Sequence, residues 1–145
     1  NDQRELRSIL RELRPHDARE GRAIIEDELQ RMRERYALEW GLDVALDARV
    51  NAAISARVAH ELCRIVGESL SNAAKHGGTT LVEVTETQDV LRLRVRDSGP
   101  GGARIVPGGG LAGVAERLRT VDGELTVTSP AGGPTEVSAR VPLPR

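Results

Sequence analysis

The chain has 145 residues, 21 basic and 22 acidic side chains and a formal net charge of -1. That length allows one domain with a core burying about two thirds of its unfolded surface, and the balanced charge, with Tyr36 and Trp40 the only aromatics, gives no sign of direct nucleic-acid binding. Cys63 is alone and forms no internal disulfide, there is no secretory signal, and no apolar run approaches the roughly 20 residues that span a bilayer, so a reducing, cytoplasmic setting is expected.

Residues 4–13 read as a helix, with Leu6, Ile9, Leu10 and Leu13 on one face and Pro15 stopping it. A second helix is expected over about 20–39, its apolar stripe carried by Ile25, Leu29, Met32, Tyr36 and Trp40 and its stop by Gly41. The dense charge of these first 40 residues reads as a solvated helical face. Leu42, Val44 and Leu46 alternate with polar or small residues and suggest a short strand.

A long helix follows over about 53–76. Glu68, Asn72 and His76 lie four apart on it, which puts a carboxylate, an amide and an imidazole on one stripe. Ile65, Val66, Leu70, Ala73 and Ala74 cover the other faces, so the stripe reads as polar groups in need of partners. Lys75, the only lysine among 20 arginines, stands beside it. Two strands come next, 80–86 and 90–96, the second alternating Leu91, Leu93 and Val95 with three arginines. Thr87, Gln88 and Asp89 connect them without a strong turn signal.

Seven of the 15 residues from Gly99 to Gly113 are glycine, the composition of a loop that approaches a ligand closely or moves. A helix of about 111–120 and a hairpin of strands 124–129 and 135–141 complete the chain. The predicted fold is α+β, a two-layer sandwich with helices on one face of a largely antiparallel sheet.

The chemistry these residues suit is nucleotide binding. Gly109, Gly110, Leu111 and Gly113 open a helix, where backbone N–H groups and the helix dipole favour phosphate. Asn72 and Glu68 offer oxygen ligands to Mg²⁺, which takes few ligands from protein and the rest from phosphate and water. Lys75 is a point charge for a phosphate. Asp97, at a strand end, can accept from an exocyclic amine, with Gly99 and Gly101 letting a base lie against backbone. Taken singly, a glycine run is more often a flexible loop, and Asp before Gly is more often a turn. The common phosphate loop and the dinucleotide fingerprint are both absent.

With these residues in place, the chain resembles the catalytic, ATP-binding domain of bacterial two-component sensor histidine kinases, in the Bergerat-type ATPase and kinase superfamily. It is most similar to the subfamily partnered with helix-turn-helix response regulators. The stretch from Arg64 to His76 resembles the asparagine box, Asp97-Ser-Gly99-Pro-Gly101 the first glycine box, and Gly108 to Leu118 the second, including Glu116-Arg117. A late Gly-Gly-x-Thr falls on Gly132 to Thr135.

The resemblance implies a mixed, mostly antiparallel sheet, and ATP and Mg²⁺ as cofactors. Asp97 would bind the adenine amino group, Thr135 would lie near it, and Asn72 would hold Mg²⁺, with Glu68 a second candidate ligand. Glu68 would assist proton removal from the attacking group or orient it, and Lys75 and His76 would lie near the phosphates. Residues 1–15 would be the tail of a dimerising phosphoacceptor hairpin, 16–19 a linker, and 20–145 the catalytic domain, with an ATP lid at about 100–110. No phosphoacceptor is expected in this chain: His16 falls in the linker, and His60, although followed by Glu61, is on the domain's own helix.

The start at Asn1 rather than Met fits a piece of a longer, homodimeric and membrane-anchored protein. Its partners would be its own phosphoacceptor hairpin and a response regulator, and its reaction the transfer of the γ-phosphoryl of ATP to histidine and then to aspartate. An anti-sigma-type serine kinase and a non-catalytic, ATP-gated interaction module are the alternatives.

Overall fold

The computed structural model describes residues 15–76 and 78–143. The helix expected over 4–13 lies outside them. Among the described residues, three helices and five strands follow in the order α1 (Pro15–Trp40), β1 (Asp43–Arg49), α2 (Ala56–Ala74), β2 (Thr79–Thr87), β3 (Val90–Asp97), α3 (Gly110–Arg119), β4 (Glu124–Thr128) and β5 (Thr135–Pro142). The strands form one sheet of order β1-β2-β3-β5-β4. β1 pairs with β2 in parallel and every other pair is antiparallel. All three helices pack on one side of it, which is the two-layer sandwich the patterning predicts, and the parallel β1–β2 pair makes the sheet mixed as the resemblance implies.

The layers follow from period-2 alternation. Leu91, Leu93 and Val95 of β3 turn inward while Arg92, Arg94 and Arg96 face solvent. Register aligns the inner residues into rows, Val84–Leu93–Ala139 and Val82–Val95–Val137. On the open face Arg94 pairs with Glu83 on one side and Glu136 on the other.

Helix α1 is described from Pro15 onward, and residues 16–19, expected as a linker, lie within it. Ile25, Leu29, Met32 and Tyr36 are buried as the stripe predicts, but Trp40 is 60% exposed. The helix ends there: Gly41 takes φ +64, its N–H and that of Leu42 return to the last turn, and Leu42 enters the core instead.

Helix α2 starts at Ala56, three residues later than expected, because Ser55 caps it by accepting from the Val58 N–H at 3.1 Å. It ends at Ala74 with Lys75 as C-cap, so His76 lies past the helix and off the stripe on which spacing put it. Since α2 carries the polar residues of interest, its cap is testable: Ser55→Ala should lower stability in urea unfolding by about 1 kcal/mol, and Ser55→Asp should restore it. Cys63 is buried in α2, and burial pushes its thiol pKa up to about 12, so it is an inert packing group.

The β2–β3 connection is tighter than its composition suggests. Gln88 and Asp89 both sit at positive φ, +52 and +65, the conformation of a two-residue hairpin turn whose twist matches that of its strands.

Candidate nucleotide site

The elements converge on a cavity of about 450 Å³ between α2, the end of the sheet and the start of α3. Glu68, Asn72 and Lys75 line it from α2, one helical turn apart along the face not committed to the core. They are exposed or half-buried, not buried as the stripe implied, because the cavity opens to solvent. Asp97 and Thr135 close it from the sheet, directly opposite each other in register. Gly109, Gly110 and Leu111 close it from α3. Eight of the residues expected from the sequence therefore meet in one place.

The other four lie behind the wall. Gly99 donates its N–H to Asp97 Oδ1 at 2.8 Å, leaving Oδ2 of that carboxylate for a ligand. His76 packs beside Gly99, where a β-carbon would lie 3.4 Å from its ring. Gly101, at φ +77, packs against the β4–β5 connection so closely that a β-carbon would overlap the Pro130 carbonyl. Gly113 makes room for the Arg117 guanidinium. These glycines admit backbone and neighbouring side chains, and none of the four lines the cavity itself.

At the α3 N-terminus Gly109 supplies no capping side chain, and the first turn contains no acidic residue. Glu68 compensates from α2. A β-carbon on Gly110 would lie 2.3 Å from Glu68 Oε1, so the carboxylate rests against the positive end of the helix. Further along, Arg117 Nε donates to Glu61 Oε1 at 2.8 Å and also reaches Oε2, strapping α3 to α2. That hydrogen bond raises the Arg117 pKa further above its already high value. Glu61, followed in the sequence only as the neighbour of His60, is thus an anchor for the helix that opens the cavity.

The first part of the expected lid is fixed. Gly102 N–H donates to Ser129 O at 3.0 Å, Ala103 N–H to Ser129 Oγ at 2.9 Å, and Gly132 N–H to Pro100 O at 2.8 Å. Within the rest of the expected lid of about 100–110, segment 104–108 is closed at its end by a Gly109 N–H to Val106 O hydrogen bond of 2.9 Å. It carries Arg104, which lines the cavity. Sequence reading missed Arg104, Ser129 and Thr80. Ser129-Pro130 is a turn signal that could have found the second, and the alternation Thr80, Val82, Val84 could have found the third.

The donor set suits a divalent ion that brings its own phosphate. Among the described residues no group of three or more His, Cys, Asp or Glu could hold a metal by itself. Asn72 and Glu68 supply only two hard oxygen ligands, the few-ligand arrangement that Mg²⁺ takes beside a polyphosphate.

Comparison with known proteins agrees with this geometry. The family model described as histidine kinase-, DNA gyrase B-, and HSP90-like ATPase matches residues 57–145. The sensor histidine kinase LiaS of Bacillus subtilis (strain 168) is 31% identical over 97% of this chain and 40% of its own length. The sensor histidine kinase YdfH of the same organism is 26% identical over 83% of this chain and 31% of its own length. The chain thus spans about a third of the curated relatives it matches. Among solved structures, the histidine kinase domain from Erythrobacter litoralis EL346 blue-light activated histidine kinase superposes with TM-score 0.66 at 24% identity, covering 79% of this chain and 59% of that one. The Acinetobacter baumannii histidine kinase AdeS superposes with TM-score 0.64 at 19% identity, covering 86% of this chain and 65% of that one.

Proposed function

The chain belongs to the family of histidine kinase-, DNA gyrase B- and HSP90-like ATPases, and from that membership we propose that it is the catalytic domain of a sensor histidine kinase, binding Mg-ATP and passing the γ-phosphoryl to a histidine. The observation that supports this reading is the convergence in one cavity of Glu68, Asn72, Lys75, Asp97 and the Gly109–Leu111 helix start.

In this reading Asp97 Oδ2 accepts from the 6-amino group of adenine, with Thr135 beside it. The backbone N–H groups of Gly109 to Leu111 receive phosphate oxygens, and Lys75 adds a point charge. Asn72 holds Mg²⁺, with Glu68 a second ligand candidate; the ion when bound would neutralise charge on the phosphates. Glu68 takes the proton from the attacking imidazole nitrogen as its bond to phosphorus forms and the bridging P–O bond breaks. Segment 104–108 folds over to exclude water.

The histidine would come from a phosphoacceptor hairpin of the same protein and the phosphoryl would pass on to a response-regulator aspartate. The whole would be homodimeric and held at the inner face of a membrane. The intact charged and amide pair Glu68 and Asn72 favours this over a non-catalytic module. Calorimetry tests the ion's part: Mg²⁺ should raise ATP affinity, and Asn72→Ala should cost at least about tenfold, or 1.4 kcal/mol, in Mg²⁺ but little in EDTA. An Asn72→Ala protein that retained the full Mg²⁺ enhancement would remove Asn72 from the metal site.

A further inference from the structure

The innermost rows of the sheet are apolar until its cavity end, where the last one runs Thr80–Asp97–Thr135. These three are among the most buried polar side chains of the molecule, at 3%, 7% and 4% exposed. Two of them are accounted for. Thr135 Oγ1 lies 2.6 Å from Ser129 Oγ, and Asp97 Oδ1 accepts from Gly99 N–H. Thr80 Oγ1 is different: it is fully buried, and among the described residues it is the one such side-chain atom without a hydrogen-bond partner.

A buried hydroxyl left unpaired costs free energy, and native proteins rarely leave one so. Directly across the β2–β3 pair stands Asp97, whose Oδ2 has no hydrogen-bond partner among the described residues, and no hydrogen bond joins the two side chains. A buried water supplies a partner to a donor and an acceptor that face each other without a direct bond.

We propose that Thr80 is a specificity-determining positioning residue: its hydroxyl and the Asp97 carboxylate share one buried water, and that water fixes the carboxylate to accept from the 6-amino group of the base. The proposal rests on the nucleotide reading above and adds to it a residue that does not line the cavity. The water accepts from Thr80 and donates to Asp97, so Oδ2 keeps a lone pair aimed into the cavity. Without the hydroxyl the water loses one of the partners that hold it, and the carboxylate is free to turn away from the base. The effect travels through one hydrogen bond, so it should appear only with ligands that make that bond.

Thr80→Val keeps the shape and removes the hydroxyl; Thr80→Ser keeps the hydroxyl. Binding of ATP and of purine riboside triphosphate, which lacks the 6-amino group, is measured by calorimetry with Mg²⁺. Thr80→Val should weaken ATP about tenfold while leaving purine riboside triphosphate unchanged, and Thr80→Ser should bind ATP as the unaltered protein does. Equal weakening of both ligands, or unchanged ATP affinity with higher stability in urea, would overturn the assignment. A crystal structure of the unaltered protein supplies a second test: density for a water within hydrogen-bond distance of Thr80 Oγ1 and Asp97 Oδ2 is expected, and its absence counts against the proposal even if Thr80→Val does not fold. Failure of the unaltered protein to bind ATP would remove the nucleotide reading itself, and this proposal with it.

Discussion

Asp97→Asn is expected to lower affinity for ATP by about 30-fold or more while leaving the fold intact. The carboxylate does two jobs. Oδ1 holds the Gly99 N–H and so shapes the first glycine turn; Oδ2 is left for the ligand. A hydrogen bond to a charged acceptor is worth about 1.5–3 kcal/mol, which is about 10- to 150-fold in binding. Asparagine preserves an oxygen for Gly99 but sets its NH₂ against the base amine, replacing an attraction with two facing donors. Asp97→Ala removes both roles and should lose ATP binding together with some stability of the 98–101 turn. The comparison of the two substitutions in calorimetry and urea unfolding separates base recognition from turn shaping. Unchanged ATP affinity in Asp97→Asn would end the adenine assignment.

Gly21→Ala should destabilise the domain by about 3 kcal/mol, near the upper end of what overpacking commonly costs. Judged locally, the sign is the reverse: alanine in a helix interior is favoured over glycine by about 1 kcal/mol. Gly21 lies inside α1, where the helix crosses the turn that leads into α2. A β-carbon there would stand 2.0 Å from the Ile54 carbonyl oxygen and 2.6 Å from that of Ser55. Both obstacles are backbone, and Ser55 is the cap of α2. Neither can rotate aside, so relief requires α1 to lift off the core face that Ile25 and Leu29 fill. A loss of this size is a large share of the 5–15 kcal/mol typical of a whole domain. Urea unfolding gives the answer, and a stabilised Gly21→Ala protein would show that the close approach is not maintained.

The residues that line the cavity were legible before the fold because their placement is local. Glu68, Asn72 and Lys75 are close in sequence on one helix, so helical periodicity alone aligns them. Asp97 stands at a strand end and Gly109 to Leu111 at a helix start, positions that composition marks directly. His76 was misplaced for a local reason too: periodicity carries a stripe onward but does not say that Lys75 is already the cap.

What the chain alone determined, then, is everything set by neighbours a few residues apart: the inward and outward faces of β3, the buried stripe of α1 up to Tyr36, and the polar face of α2. Only the tertiary structure decided what depends on contacts across the sheet and between helices. It put Trp40 outside and Leu42 within, joined Glu61 to Arg117, tied residues 100–103 to the β4–β5 connection, and left the Thr80 hydroxyl facing Asp97 without a bond. Helix and strand periods arise from backbone geometry within one element, whereas these pairings arise where separate elements compete for the same space. The packing of distant segments settles that competition, and no window of adjacent residues contains it.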